Sequence, residues 1–122
     1  MERFPCGSAA VVPVRGEIDI ATADRMRDDI LHAAAVGECD FVVVDLSRVT
    51  FFDASAVRAV LSTHRALTAQ GRHMVLAEPT PQVQRTLDAL KVDELLDVYP
   101  IVEMALAHVP GRQGRVPGPG RD

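Results

Sequence analysis

Apolar residues along the chain form short continuous runs that alternate with segments of helical periodicity. Residues 40–46 (DFVVVDL) are a β-branched run with little polar alternation, which is typical of a strand covered on both faces at the centre of a parallel sheet. Residues 73–77 (HMVLA) have the same character, and residues 10–14 and 96–99 predict two shorter strands. Because Pro13 has no amide hydrogen to donate, its strand must lie at an edge or contain a bulge.

Four helices are predicted between and after these strands. Thr22, Asp53 and Thr80 are residue types that cap helix N-termini, a proline follows Thr80 as is favoured at a first helical position, and the fourth helix follows Pro100. Their apolar stripes are Met26, Ile30 and Ala33 or Ala34; Val57, Val60, Leu61, His64 and Leu67; Val83, Leu87 and Leu90; and Ile101, Met104, Ala105 and Val109. Together with a short candidate strand at residues 3–7, this alternation predicts an α/β sandwich with a mixed, mostly parallel sheet of four or five strands.

The composition of the chain predicts one folded domain followed by a flexible tail. The 122 residues are 48% hydrophobic and 25% charged, which leaves room for one core and excludes disorder over most of the chain. Half of residues 109–122 are Gly or Pro, without apolar periodicity. We therefore expect a domain at residues 1–108 and a flexible tail at 109–122, whose removal leaves the melting temperature nearly unchanged.

The net charge indicates which class of partner the protein binds, and the cysteine content indicates its cellular compartment. A net charge of −4 offers no global positive field for nucleic acid or an anionic membrane surface, so an acidic body favours protein partners. No run approaches the length of a membrane span, and the first residues do not match a signal peptide. We expect a cytoplasmic protein in which Cys6 and Cys39 are free thiols.

The sequence contains no motif for catalysis or for metal and cofactor binding. It has no GxGxxG or GxxxxGK[ST] phosphate loop, no HExxH and no CxxC, and its four histidines lie on separate predicted elements. We therefore predict a protein that is not an enzyme and that holds no cofactor or metal. His64 is expected to be a partly buried side chain with a hydrogen-bonded ring, and Cys39 a small buried hydrophobe.

The segment RVTFFDASA at residues 48–56 joins the central strand to the second helix and is the best candidate site. Asp53 occupies the N-cap, where its carboxylate accepts from the amide of Ser55 or Ala56, and Ser55 is the second helical residue with its hydroxyl exposed. A phosphate on Ser55 would lie at the positive end of the helix dipole and meet repulsion from Asp53. These residues fit both a plain helix cap and an anion site, and an exposed phenylalanine beside the turn would favour a docking surface.

Three stretches follow one another along the chain: VRGEID at 14–19, VVVDLS at 42–47 with FD at 52–53, and LKVDELL at 90–96 with the strand and helix that follow. In these stretches and their order the chain resembles the STAS domain family of anti-sigma factor antagonists, over about residues 8 to 108. DASA at residues 53–56 stands where the family has D-S-S-G. The resemblance implies a STAS-like α/β sandwich with about four helices.

The resemblance also implies a binding module that phosphorylation switches. In the family, the second serine of D-S-S-G is phosphorylated by a partner that is both anti-sigma factor and serine kinase, and the unmodified form binds that partner and frees a sigma factor. Ser55 carries over as the phosphoacceptor and Asp53 as the acidic cap, while Ala54 and Ala56 replace the family's first serine and its glycine. The implied partner-binding residues are Asp19, Thr22, Phe52, Asp53, Ala54, Ser55, Ala56 and Arg58.

Two other functions stay open. One keeps the fold without the switch, as a constitutive STAS subunit of a transporter or stress-sensing complex. The other is a receiver domain phosphorylated at Asp45, because VVVD ends a buried run as that family's acceptor does. It lacks the acidic pair expected after the first strand, and Lys91 precedes the last strand, so its magnesium site is incomplete.

Overall fold

The computed structural model of the chain describes residues 9–108. The candidate strand at residues 3–7, the thiol of Cys6, the end of the fourth apolar stripe at Val109 and the predicted tail at 109–122 lie outside these residues. The fifth strand of the predicted mixed sheet is therefore also outside them.

A parallel sheet forms the middle of the fold. Its strands are β1 (Ala9–Ile18), β2 (Phe41–Phe52), β3 (His73–Ala77) and β4 (Val98–Tyr99), in the spatial order β1-β2-β3-β4. Val43 of β2 is paired with Val11 of β1 on one side and Val75 of β3 on the other. The predicted central position of the β-branched run is confirmed, as is the α/β class.

The helices begin close to the predicted capping residues. They are α1 (Ala23–Gly37), α2 (Ala54–Ala69), α3 (Pro81–Ala89) and α4 (Val102–Ala107), with a short 3₁₀ helix at Val92–Glu94. The Thr80 hydroxyl accepts a hydrogen bond from the Val83 amide at 3.4 Å, as an N-cap does. Among residues 9–108, no helix combines the length and the apolar character that crossing a membrane requires.

The sheet separates two hydrophobic clusters, because successive side chains of a strand point to opposite faces. Val42 and Val44 belong to the larger cluster, with apolar residues of α1, α2 and α3. Phe41 and Val43 belong to the smaller one, with Ala105 of α4. The central strand is thus covered on both faces, as its continuous apolar run predicts.

The strands β1 and β2 extend further than the sequence predicts. Residues 48–52, part of the predicted connection between the central strand and the second helix, continue β2, and β1 runs beyond the predicted residues 10–14 to Ile18. Both expectations for Pro13 are met within residues 9–108: β1 lies at one edge of the described sheet, and its register against β2 shifts between Pro13 and Arg15. The longer strands carry the candidate site directly at their carboxyl ends.

Several side chains differ from the predicted apolar stripes. Leu90, Ile101 and Met104 are exposed because each falls at or beyond a helix end, or on the outer side of the short α4. His64 is partly buried as predicted, but its Nδ1 is buried without a hydrogen-bond partner. Cys39 is buried, which confirms its prediction as a small hydrophobe.

Candidate functional site

The candidate site lies at the edge of the sheet where the carboxyl ends of β1 and β2 meet. β1 leads into a turn at residues 19–22, and β2 leads into α2 through Asp53 alone. The Asp53 amide donates to the Ile18 carbonyl oxygen at 3.4 Å, which joins the two strand ends. The structure therefore brings the predicted site residues Asp19, Thr22 and Asp53 onto adjacent connections.

Asp53 fixes the start of α2. Its backbone is extended, and its Oδ1 accepts a hydrogen bond from the Ala56 amide at 3.1 Å. The Val57 amide donates to the Asp53 carbonyl oxygen, also at 3.1 Å, and closes the first helical turn. This confirms the predicted cap and makes Ser55 the second residue of the helix.

Asp19 and Thr22 shape the neighbouring turn. The Asp19 side chain accepts from the Ala21 amide at 2.9 Å, and the Thr22 hydroxyl accepts from the Asp19 amide at 3.0 Å. The same hydroxyl donates to the Glu17 carbonyl oxygen at 2.9 Å, so it bonds to residues that precede it in the chain and not to the helix that follows. Thr22 stands at the N-cap position of α1, but its side chain caps no amide of that helix, which corrects the prediction.

Ser55 opens into a groove between α1 and α2. Its Oγ accepts a hydrogen bond from the Arg58 guanidinium at 3.3 Å, one helical turn further along α2. The groove has a volume of about 290 Å³. Its lining, which we call the Ser55 groove, consists of Ile20, Ala23, Asp24, Arg27, Ser55, Arg58, Ala59 and Ser62. The sequence does not predict that Ile20, in the turn before α1, and Arg27 of α1 line the same groove as Ser55, because this depends on how the turn and α1 lie against α2.

Two predicted partner-binding residues are buried. Phe52 is 1% exposed and Ala56 is 0% exposed, because both side chains pack into the larger hydrophobic cluster. The predicted partner surface therefore loses these two side chains. Phe51 is 39% exposed and lines a shallow apolar groove with Ala54 and residues of α3.

Asp45 does not occupy the end of a strand. It lies within β2, paired with Pro13 on one side and Ala77 on the other, and its carboxylate accepts from the Ser47 amide at 2.9 Å. Within residues 9–108, no group of three or more His, Cys, Asp or Glu side chains is placed to hold a metal ion. The position of Asp45 does not match the acceptor arrangement that the receiver hypothesis requires.

Comparisons with known proteins find relatives of this sequence and of this fold. An anti-sigma F factor antagonist of Paenibacillus polymyxa is 26% identical over 89 residues, which are 73% of this chain and 76% of that protein. An anti-sigma factor antagonist from Mycobacterium paratuberculosis has a solved structure with a TM-score of 0.73 and 26% identity, covering 88% of this chain and 89% of that one. A sulfate transporter family protein from Wolinella succinogenes shares the fold, with a TM-score of 0.71 and 18% identity over 88% of each chain.

The family model named STAS domain matches residues 6–105, most of the chain. This range contains all four described strands and the whole of the candidate site. The chain therefore belongs to the STAS domain family.

Proposed function

We propose that this chain is an anti-sigma factor antagonist that binds its anti-sigma factor through the surface around Ser55. One observation carries the proposal: Ser55 is the second residue of a helix capped by Asp53, and its hydroxyl contacts the exposed Arg58. Two relatives of about the same length that match most of the chain are named anti-sigma factor antagonists, which supports the same role. The protein acts by binding rather than by catalysis.

The surface has the chemistry of a protein docking site. Ile20 is 79% exposed on one side of the start of α2, and Phe51 is exposed on the other side. Arg58 lies on the first turns of α2 and lines the same groove as Ile20. Phe and Arg are enriched in protein interfaces, and an exposed apolar side chain such as that of Ile20 is stabilised when a partner covers it.

We further propose that the partner is also the serine kinase that modifies Ser55. A phosphate adds about −1.5 to −2 charges at pH 7, and the partner surface that accepts a neutral hydroxyl would then have to desolvate a dianion beside Asp53. Unmodified protein binds the anti-sigma factor and frees the sigma factor, and modified protein releases it. We place this switch in the bacterial cytoplasm, where the free thiols expected from the sequence would persist.

The test is incubation with the cognate kinase and ATP, followed by mass spectrometry and a binding titration. Phosphate is expected on Ser55, with affinity lost and the far-ultraviolet circular dichroism unchanged. Ser55→Ala should bind but resist phosphorylation, and Ser55→Asp should bind weakly. Ser47→Asp is the matched control, since Ser47 is an exposed serine on β2 outside the Ser55 groove. Phosphate at another residue, or equal affinity of both forms, contradicts the switch.

The same fold serves a transporter family protein, so the fold itself does not choose between a switched and a constitutive subunit. The hydroxyl of Ser55 at the start of α2 supports the switched subunit. A histidine-kinase-like ATPase that copurifies with the unmodified chain supports the proposal. Copurification with a transporter ATPase, together with equal affinity of both forms, supports the constitutive subunit.

A further inference from the structure

Two arginines from different helices line the groove into which Ser55 opens. Arg58 of α2 donates to the Ser55 hydroxyl at 3.3 Å, and Arg27 of α1 faces the same groove. The Nε atom of Arg27 is buried without a hydrogen-bond partner. The Nη1 atom of the same side chain lies 3.7 Å from the Oδ1 atom of Asp28. That separation exceeds hydrogen-bonding distance, so the Arg27 guanidinium retains unused donors.

We propose that Arg58 and Arg27 clamp the phosphoryl group of phosphorylated Ser55 within the Ser55 groove. The inference deepens the proposed function and rests on it for the identity of the modified residue. The phosphoryl oxygens extend beyond the Ser55 Oγ, which the Arg58 guanidinium already contacts. A guanidinium presents several donors in one plane and forms paired, charge-assisted hydrogen bonds with phosphate.

Carboxylates near the site repel the phosphoryl group and so oppose the attraction of the two arginines. Asp24 of α1 lines the groove, and Asp53 caps α2. The charged side chains that line the groove, Asp24, Arg27 and Arg58, sum to a charge of +1, and a phosphate dianion would change this sum to −1. The Asp53 carboxylate is engaged by the Ala56 amide. The first turn of α2 adds its own positive end to the attraction.

The clamp has two consequences for the switch. Arg58 is drawn to the phosphate and is no longer free to contact an acidic group of the partner. The phosphate itself is held against α1, where a phosphatase has less access to it. The carboxylate of Ser55→Asp is shorter and carries one charge, so it reaches the two arginines less well and mimics the modified form incompletely.

The experiment installs phosphoserine at position 55 during translation, so that neither a kinase nor the partner is needed. The second ionisation of the phosphate is then followed by ³¹P NMR as a function of pH. The positive charges of Arg27 and Arg58 favour the dianion and lower the second pKa of the phosphate, whereas the carboxylates of Asp24 and Asp53 raise it. We expect a pKa about half a unit or more below the value of about 6 for free phosphoserine.

Variants assign the effect to the two arginines. Arg58→Gln and Arg27→Gln should each raise the phosphate pKa, and each should speed dephosphorylation by alkaline phosphatase about threefold or more. Arg65→Gln is the matched control, because Arg65 is an exposed arginine on the same helix outside the groove. Circular dichroism of each variant confirms that it is folded.

A phosphate pKa at or above that of free phosphoserine overturns the clamp, as does the same pKa in all three variants. Because phosphoserine is installed without a kinase, these outcomes leave the proposed switch standing. Failure of the cognate kinase to modify Ser55 contradicts the switch and leaves the clamp measurable. The two proposals can therefore fail separately.

Discussion

Phe51 and Phe52 are consecutive in β2 and have different environments: Phe51 is 39% exposed, whereas Phe52 is 1% exposed. Consecutive side chains of a strand point to opposite faces, which separates these two rings even though burial over residues 46–52 recurs every third position. Phe52 pairs in register with Ile18 at the end of β1 and belongs to the larger hydrophobic cluster. The end of β2 therefore supplies one aromatic ring to the core and one to the surface beside α2.

The two phenylalanines should respond differently to truncation. Phe52→Ala is expected to lower the free energy of unfolding by about 3 to 5 kcal/mol, because it removes a fully buried ring and leaves a cavity. Phe51→Ala should lower it by less than about 1 kcal/mol, since its ring is already partly in water. Urea denaturation followed by circular dichroism measures both. An equal loss in the two variants would show that the Phe51 ring is also part of the core.

Removal of the α2 cap should cost a modest amount of stability. Asp53→Ala eliminates the acceptor of the Ala56 amide and should lower the free energy of unfolding by about 0.5 to 2 kcal/mol. Asp53→Asn keeps an oxygen acceptor at the same position and should retain most of the stability. Urea denaturation of both variants separates the cap from the charge. A loss in Asp53→Asn as large as in Asp53→Ala would assign the effect to the carboxylate charge.

The sequence predicts the central strand and the helix starts because strong local signals mark them. The run at residues 40–46 has no polar alternation, and the capping residues Asp53 and Thr80 precede apolar helical stripes. The second half of β2 is different, since its buried residues Leu46, Val49 and Phe52 recur every third position. The register of β1 against β2 shifts twice along this stretch, so a period of two is not available to predict a strand.

The candidate site likewise has one part that local sequence predicts and one part that it does not. Its part within one helix, the Asp53 cap and the place of Ser55, follows from local sequence, and the spacing of Arg58 three residues after Ser55 also places the two on one helical face. The approach of Arg27 and Ile20 depends on how α1 packs against α2. No periodicity in the sequence encodes that long-range arrangement.

Tyr99 should titrate at a higher pH than a free tyrosine. Its pKa is raised above the usual 10.0, first by partial burial and second by the nearby charge of Asp97. Tyr99 is the only tyrosine and the chain has no tryptophan, so tyrosinate absorbance reports this residue alone. Asp97→Asn should lower the pKa part of the way, because burial remains, and the guanidinium-denatured chain should titrate near 10.

The same shift sets the sign of a stability change at alkaline pH. The folded state holds the Tyr99 proton more tightly than the unfolded state, so this contribution is complete below pH 10 and is lost as pH rises through the higher folded-state pKa. Denaturation series at pH values on either side of 10 measure it. A midpoint equal to that of the denatured chain would show that the phenol is as hydrated in the folded protein as in the unfolded one.

Binding of the anti-sigma factor should depend on Ile20 and Phe51 while folding does not. Both side chains are exposed on either side of the start of α2, and an interface that covers them would gain apolar contact area. Ile20→Ala and Phe51→Ala are each expected to weaken binding about tenfold, which corresponds to about 1.4 kcal/mol, with a nearly unchanged urea midpoint. Val36→Ala is the matched control, because Val36 is an exposed β-branched residue in the last turn of α1, outside the Ser55 groove. Isothermal titration calorimetry with the purified partner measures the affinity of each variant. Unchanged affinity in both site variants, or an equal loss in Val36→Ala, would contradict a docking surface at the start of α2.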